Sequence, residues 1–236
     1  MLCSIVIPCY NGGSLLKNNL PKLFTYLLQY PNHQFEVVVI NDGSKDNTFT
    51  ILKSIKGIKL LSYGQNKGKG GAVQYGINHV DQNSDVVIVM DADCATDFKA
   101  INETIDMLTD YDVVAASRFI KGSYLPIKRS LKRRIVSKIC SMVVNLLFRF
   151  HIKDTQCGFK GYKCSIAKML ASKQTIQDWA FDVEYLCIAK IHHYKIKELP
   201  VTWTESDQST VKVTRASSKF IRSLLTIKRN AWRKKY

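Results

Sequence analysis

The chain has 236 residues, and 46% of them are hydrophobic, so it can bury the core of one domain of about 200 residues. Its formal net charge is +16, and 17 of its 35 Lys and Arg residues fall in two segments that contain no acidic residue, 121–150 and 208–236. Such segments favour contact with a nucleic acid or an anionic membrane surface, or a solvated face of the protein.

The cysteines and the hydropathy pattern exclude several classes of protein. The seven cysteines are scattered and form no Cys-x-x-Cys pair, which argues against a disulfide framework and a structural zinc site. We therefore expect a reducing, cytoplasmic location. No uncharged apolar run reaches about 18 residues, so the sequence predicts no membrane-spanning helix, and Met1 leads directly into a strand pattern rather than a secretory signal.

A strand, loop and helix pattern repeats four times in the first half of the chain. Short runs rich in β-branched residues predict strands at 3–8, 35–40, 58–62 and 86–90. Helices are predicted at 15–30, 48–55 and 72–79. This alternation indicates an α/β fold with a mostly parallel sheet flanked by helices. The loops that follow the strands, 9–13, 41–46, 66–71 and 91–97, should converge at one edge of the sheet.

The second half has a looser pattern. The spacing predicts strands at 112–117 and 196–203, with a loop or short strand at 154–162. Helices are predicted at 101–108, 132–150, 165–172 and 182–192. Apolar residues recur along 132–150 and 220–232 among basic ones, so we expect two basic amphipathic helices there.

Asp91 and Asp93 follow the predicted strand 86–90 directly. Side chains two residues apart in extended chain point the same way, so both carboxylates should enter one space at the ligand-binding edge of the sheet. Two such charges are unfavourable without a cation between them, and hard oxygen ligands suit Mg²⁺ or Mn²⁺. The alternative is a solvated turn.

Two further loops have the composition of a nucleotide site. Asp42, at the end of the second strand, is able to accept hydrogen bonds from a base or a ribose, although Asp-Gly is also common in plain turns. Residues 66–71 (NKGKGG) resemble a phosphate cradle, in which Lys69 adds charge at a helix N-terminus. The alternative is a glycine-rich turn, since the segment is neither a P-loop nor a dinucleotide fingerprint.

Arg118, at the end of the strand 112–117, is placed to hold a diphosphate by paired hydrogen bonds, or else to form a surface ion pair. Residues 154–159 (DTQCGF) and 179–184 (WAFDVE) combine carboxylates with aromatic rings, as sugar sites commonly do. Core packing with a helix-capping Asp is the alternative for each.

Several of these motifs together resemble a known family. Residues 5–11 (IVIPCYN), 39–46 (VINDGSKD), 66–72 (NKGKGGA) and 90–93 (MDAD) look like the nucleotide-sugar half of family 2 glycosyltransferases of the GT-A fold. Residues 91–96, 117–118, 154–160, 179–184 and 200–203 are similar to the dolichyl-phosphate β-glucosyltransferase branch, relatives of dolichol-phosphate mannose synthases. The resemblance covers residues 4 to about 213.

The resemblance implies metal-dependent, inverting transfer of a hexose, expected to be glucose from UDP-glucose, to a polyprenyl phosphate. It implies a GT-A domain over 1–213, with a nucleotide-sugar half (1–118) and an acceptor half (119–213), and a basic membrane-associating tail over 214–236. The donor would contact Pro8, Tyr10, Asn11, Asp42, Lys69, Gly70, Asp91 and Ala92, with Mg²⁺ or Mn²⁺ on Asp91 and Asp93. Catalysis would depend on Asp93, Arg118 and Asp182. The acceptor would contact Arg133, Gln156, Asp182 and Glu184.

Three departures from the family pattern are visible. Asn41 replaces the first Asp of the usual Asp-Asp-Gly-Ser, Gly12 replaces a common Glu, and the membrane anchor of eukaryotic members is not expected here. We expect the basic helices to hold the enzyme peripherally at the cytoplasmic membrane face instead. The main alternative function is glycosylation of a hydroxyl on a polysaccharide or teichoic-acid-like polymer. No nucleic-acid partner is expected, because the charges lie in amphipathic helices rather than beside exposed aromatics.

Overall fold

The computed structural model describes residues 1–126, 131–204 and 213–236, with only the backbone described for 131–138 and 213–217. The elements in chain order are β1 (Leu2–Cys9), α1 (Gly13–Leu27), β2 (Gln34–Asp42), α2 (Thr48–Lys53), β3 (Lys59–Tyr63), α3 (Lys69–Ile77), β4 (Val86–Val89), α4 (Lys99–Met107), β5 (Val113–Ser117), α5 (Leu131–Phe148), β6 (Lys160–Lys163), α6 (Cys164–Lys173), α7 (Phe181–Ile191), β7 (Ile196–Pro200) and α8 (Val213–Trp232).

A seven-stranded sheet with the order β3-β2-β1-β4-β6-β5-β7 forms the centre of the fold. Strands β1 to β4 are mutually parallel, β7 is parallel to β5, and β6 is antiparallel to both of its neighbours. The predicted α/β fold with a mostly parallel sheet is therefore confirmed. Because the chain moves outward from β1 to β3 and then returns to β4 on the other side of β1, the crevice that such sheets use for ligands lies at the carboxyl ends of β1 and β4.

Hydrophobic side chains alternate between the two faces of the sheet, and helices cover both. In β1, Ile5 and Ile7 pack in one cluster with α1 and α4, whereas Val6 packs in the other with α3, α6, α7 and α8. This alternation is the two-residue period of a strand that is buried on both sides. The resulting three layers of helix, sheet and helix support the edge of the sheet that carries the loops.

The helix α3 begins three residues earlier than the sequence pattern predicts. Gly68 precedes it with φ 86°, a left-handed conformation that glycine adopts without steric cost. The helix therefore opens at Lys69, and the glycine-rich turn runs straight into the first helical turn.

The apolar residues of α5 and α8 do not all face the core. On α5, Val144 and Phe148 are buried, whereas Ile139, Met142 and Leu146 are exposed. On α8, Leu224 and Ile227 are buried, whereas Ile221, Leu225 and Trp232 are exposed. The two helices pack together, and the Lys228 ammonium of α8 donates to the Leu147 carbonyl of α5 at 2.7 Å. Among the described helices, none combines the length and hydrophobicity needed to cross a bilayer.

Candidate active site

The polar loops that follow β1, β2, β3 and β4 meet at one edge of the sheet, as predicted. The Asn11 amide N–H donates to the Ser44 hydroxyl, and the Asn11 side-chain oxygen accepts from the Lys45 amide, which joins the first loop to the second. Asp42 joins the second loop to the third, and Lys69 joins the third to the fourth. These contacts form a continuous rim around the crevice.

Asp42 shapes the glycine-rich turn. Its two carboxylate oxygens accept four hydrogen bonds, from the Tyr63 hydroxyl, the Asn66 side chain and the amides of Lys67 and Gly68. Burial raises the pKa of Asp42, although these hydrogen bonds oppose the shift. A carboxylate accepts about four hydrogen bonds in total, and these four come from within the protein. Asp42 therefore holds the turn, and its expected contact with a nucleoside stays a prediction.

Lys69 connects the glycine-rich turn (66–71) to the acidic turn (91–93), which follows β4. Its Nζ lies 2.6 Å from Asp91 Oδ1 and 4.7 Å from the centre of the Trp179 ring. Burial alone would lower the pKa of the Lys69 ammonium, but the charges of Asp91 and Asp182 outweigh it and raise the pKa. Lys69 is thus a fixed positive charge at the edge where the four loops meet.

Asp91 and Asp93 follow β4 in a turn rather than in the extended chain that the spacing argument assumes, because the Cys94 amide donates to the Asp91 carbonyl at 3.1 Å. Burial raises the pKa of Asp93, and the neighbouring charge of Asp91 raises it further, which indicates that the two carboxylates share one electrostatic environment. The Asn19 side chain of α1 donates to the carbonyls of Ala92 and Asp93 at 3.3 and 3.2 Å and so orients this turn. Nothing in the local sequence around Asn19 indicated that role.

The donor set at this turn fits a divalent ion that shares its coordination with a substrate. Among the described residues, no cluster of three or more His, Cys, Asp or Glu side chains is arranged to hold a metal by itself. Mg²⁺ and similar ions commonly bind through one or two carboxylates and complete their shell with phosphate oxygens and water. Asp91 and Asp93 supply two carboxylates of this kind, and Lys69 Nζ contacts one oxygen of Asp91 at 2.6 Å.

Gly158 brings the loop 154–160 against Asp91. A Cβ atom added at Gly158 would lie 1.8 Å from Asp91 Oδ2, so no other residue fits there without displacing the carboxylate. Gly158, Asp91, Asp93, Cys94 and Trp203 are among the residues that line a small recess beside the acidic turn. The glycine of the sequence motif 154–159 therefore has a steric function that the sequence alone did not reveal.

Arg118 and Asp154 form a buried, two-pronged ion pair. Arg118 Nε and Nη2 donate to the two oxygens of Asp154 at 2.7 and 2.9 Å, and the Arg118 amide donates to one of them. Burial would raise the pKa of Asp154, but the Arg118 guanidinium outweighs it and lowers the pKa. Arg118 thus holds the start of the loop 154–160. Asp154 takes up two of the five N–H donors of the guanidinium, and the expectation that Arg118 binds a diphosphate stays a prediction.

A second buried ion pair joins the end of the same loop to α7. Lys160 Nζ donates to Asp182 Oδ1 at 2.8 Å and to the Cys157 carbonyl at 2.7 Å, and Lys160 is 1% exposed. Asp182 is 4% exposed and contributes to the electrostatic environment of Lys69. Lys160 was missed as a site residue, although a lysine inside an otherwise uncharged segment, 155–162, is itself a signal of a buried partner.

Glu184 has a structural role in place of the expected contact with an acceptor. The side chain is fully buried and accepts hydrogen bonds from the Thr175 amide and hydroxyl, the Ile176 amide and the Tyr236 hydroxyl. Both oxygens are therefore used within the protein. The alternative interpretation of the motif 179–184 as core packing is correct for Glu184.

The remaining predicted residues take different positions around the crevice. Tyr10 is exposed in the first loop, and Pro8 lies within β1 opposite Ile40. Gly70 lies tightly against α7, because an added Cβ would come within 2.7 Å of Phe181 Cβ. Gln156 is half-buried on the loop 154–160. The Arg133 side chain lies outside the part of the chain whose side chains are described.

Comparison with known proteins relates the chain to a family of enzymes. Residues 4–170 match the family described as glycosyl transferase family 2. The chain is 33% identical over 241 residues to a dolichyl-phosphate β-glucosyltransferase of Dictyostelium discoideum, with 95% of this chain and 73% of that protein covered. A dolichyl-phosphate β-glucosyltransferase of Homo sapiens is 30% identical, with 87% of this chain and 68% of that protein covered.

Solved structures agree with the fold. Mannosyl-3-phosphoglycerate synthase from Rubrobacter xylanophilus superposes with a TM-score of 0.75 over 99% of this chain and 75% of that one, at 17% identity. Glucosyl-3-phosphoglycerate synthase from Mycobacterium tuberculosis, in complex with Mn²⁺, UDP and phosphoglyceric acid, superposes with a TM-score of 0.72 over 96% of this chain and 78% of that one, at 14% identity.

Proposed function

Because the chain belongs to glycosyl transferase family 2 and is therefore a glycosyltransferase, we propose that it transfers a hexose from a nucleotide sugar to a polyprenyl phosphate. The observation that carries the proposal is the match over 95% of the chain to a dolichyl-phosphate β-glucosyltransferase. The charged groups Lys69, Asp91 and Asp93 lie at the sheet edge where such a fold binds its ligand.

Glucose from UDP-glucose is the proposed donor. The relatives in Dictyostelium discoideum and Homo sapiens are both named as glucosyltransferases, and one superposable synthase was crystallised with UDP-glucose and Mn²⁺. In this chain, Tyr10 and Asn11 would contact the nucleoside from the first loop. Lys69 would attract the diphosphate with its side-chain charge at the N-terminus of α3, since the Gly68 and Gly71 amides of this turn already donate to Asp42 and to the Gln177 carbonyl.

A bound Mg²⁺ or Mn²⁺, held by Asp91 and Asp93, would supply positive charge to stabilise the departing nucleoside diphosphate. Two other residues shape the turn that would hold this ion. Asn19 orients the turn that carries the two carboxylates, and Gly158 leaves the space that Asp91 needs. Lys69 adds a positive charge that is fixed before any substrate binds and would attract the donor diphosphate.

The proposed reaction is a single displacement with inversion at the anomeric carbon. An acceptor phosphate is ionised near neutral pH, so it attacks without a strong general base. The environment of Asp182 supports this account, because the Asp182 side chain is buried and accepts a hydrogen bond from Lys160. Asp182 would then set the electrostatic environment of the site rather than remove a proton.

The membrane surface is proposed as the place of reaction, because the lipid acceptor resides there. The exposed apolar residues of α5 and α8 lie among basic side chains such as Arg222 and Arg229, the composition of helices that lie in the headgroup layer. Each Lys or Arg near an anionic leaflet contributes about 1 kcal/mol, so a few suffice for peripheral binding at the cytoplasmic face. In this proposal, residues 1–118 bind the donor, 119–213 the acceptor and 214–236 the membrane.

Radiolabelled transfer tests the proposal. The purified protein, Mn²⁺ and UDP-[¹⁴C]glucose are incubated with undecaprenyl phosphate, and the label that enters the organic phase is counted. We expect label in the organic phase with UDP-[¹⁴C]glucose and little with labelled GDP-mannose. We expect none when undecaprenol, which lacks the phosphate, replaces undecaprenyl phosphate. An Asp93→Ala variant should transfer nothing. Label that enters only a water-soluble polymer would instead support the hydroxyl-acceptor alternative.

A further inference from the structure

Residues 174–179, which connect α6 to α7 and are called here the bridging segment, lie against the glycine-rich turn. The Gly71 amide donates to the Gln177 carbonyl at 3.2 Å, and the Gln174 side chain donates to the Gly70 carbonyl at 2.9 Å. Added Cβ atoms at Gly68 and Gly70 would come within 2.6 and 2.8 Å of carbonyl oxygens of this segment. The two segments are therefore in direct backbone contact.

The other side of the bridging segment is held by a buried carboxylate. Glu184 accepts from the Thr175 amide at 3.1 and 3.0 Å, from its hydroxyl at 2.5 Å and from the Ile176 amide at 2.8 Å. Because Glu184 is fully buried, removal of any one donor leaves part of its negative charge without compensation.

The C-terminal helix α8 and the residues that follow it complete this network. The Tyr236 hydroxyl donates to Glu184 Oε1 at 2.6 Å, and the Asn230 side chain donates to the Thr175 hydroxyl at 3.0 Å. The Ser223 hydroxyl donates to Asp178 at 2.8 Å. Ser223 and Asn230 thus hold the bridging segment directly, and Tyr236 holds it through Glu184. The opposite face of this segment supports the turn that carries Lys69.

Trp179 extends the same connection to the charged group at the crevice. Its ring lies 4.7 Å from Lys69 Nζ, so a shift of the bridging segment would move both the turn and the ring beside this ammonium. Packed segments that are joined on two sides transmit such shifts because neither side has free space to absorb them.

We propose that α8 and Tyr236 position the glycine-rich turn. In this proposal, Tyr236 and Asn230 act through Glu184 and Thr175 as positioning residues for Lys69. The inference rests on the proposed function, in which Lys69 meets the donor diphosphate. Loss of the network weakens donor binding and leaves the chemical step intact, because none of these residues reaches the reacting atoms. The helix expected to lie on the membrane therefore also supports the donor site.

The Tyr236→Phe variant removes the hydroxyl and keeps the ring. We expect the dissociation constant for UDP with Mn²⁺, measured by calorimetry, and KM for UDP-glucose to rise about tenfold, with kcat within about twofold. The Glu184→Gln variant should show the same split. Tyr30→Phe is the matched control, because it removes a hydroxyl contact with Tyr26 at 3.2 Å on the opposite face of the sheet and should change neither constant.

The outcomes separate this inference from the proposed function. A wild-type protein that binds no UDP overturns the proposed donor and this inference with it. Normal UDP binding by the wild type, with unchanged UDP binding by Tyr236→Phe and Glu184→Gln, overturns only the positioning role. A fall in thermal stability without a change in KM also contradicts it, because a merely structural network would produce that result.

Discussion

The Lys69 ammonium lies 2.6 Å from a carboxylate oxygen of Asp91, although the two residues belong to different loops. Lys69 opens α3, and Asp91 follows β4, so the pair joins the glycine-rich turn to the acidic turn across the crevice. The contact is largely buried, with 8% of the lysine side chain exposed, and it is bordered by the Trp179 ring. This arrangement fixes one positive and two negative charges within the same edge of the sheet.

Replacement of Lys69 by Met should weaken binding of UDP with Mn²⁺ by about 10- to 100-fold, because the diphosphate loses a buried positive charge. Calorimetric titration of UDP measures the change. Lys67→Met is the matched control, since Lys67 belongs to the same turn but is exposed over the Tyr63 ring. Equal losses in both variants would mean that net charge, rather than the position of Lys69, attracts the nucleotide.

Gly158→Ala should abolish most transfer and weaken Mn²⁺ binding, because the new Cβ would occupy the space of Asp91 Oδ2, 1.8 Å away. Electron paramagnetic resonance of free Mn²⁺ in the presence of UDP measures the binding. Gly64→Ala is the control, because a Cβ there meets no atom within 4 Å. Normal Mn²⁺ and UDP binding by Gly158→Ala would contradict the proposed role of Asp91 as a metal ligand.

Lys160→Met should lower the free energy of unfolding by about 3–5 kcal/mol, because it leaves the Asp182 carboxylate buried without its partner. Urea denaturation followed by circular dichroism measures this change. Lys163→Met removes the half-exposed pair with Asp112 and should cost less than about 1 kcal/mol. If both variants lose the same stability, the difference in burial between the two ion pairs does not control their contribution.

Asp182→Asn separates the two acceptor classes. With undecaprenyl phosphate, we expect transfer per folded molecule to fall less than about tenfold, because the acceptor needs no general base. With a hydroxyl acceptor, loss of a base would cost about 10²- to 10⁴-fold. Asp97→Asn changes an exposed carboxylate near the acidic turn and is the control. A loss above about 100-fold with the lipid phosphate would show that Asp182 takes part in the chemical step.

The elements around the crevice were predictable because their signals are local. Runs such as 86–90 are apolar and β-branched over a few residues, and parallel strands bring their carboxyl ends together whatever the helices do. The convergence of the loops at Asn11, Asp42, Lys69 and Asp91 follows from that rule, and hydrogen bonds between the loops confirm it.

The partners of individual side chains were not predictable, since they are distant in sequence. Asp182 pairs with a lysine 22 residues away, and Glu184 accepts from a tyrosine 52 residues away. Asp42 and Glu184 both matched the pattern of ligand-binding carboxylates, yet the chain satisfies them itself. A sequence shows that a carboxylate lies near an edge or a helix start, but only packing decides which groups reach it.

The apolar residues of α5 and α8 show the same limit, because periodicity identifies a stripe without stating what covers it. Leu225 of α8 is 58% exposed, and its neighbour Leu224 is 1% exposed.

We expect Leu225→Glu to lower the partition of the protein onto vesicles with anionic lipid by about tenfold, since it removes apolar contact and adds a repelled charge. Leu28→Glu, at the end of α1, is the control, because Leu28 is 82% exposed on a different helix. Vesicle co-sedimentation measures both variants, and equal retention of Leu225→Glu and the wild type would exclude α8 as the membrane-binding surface.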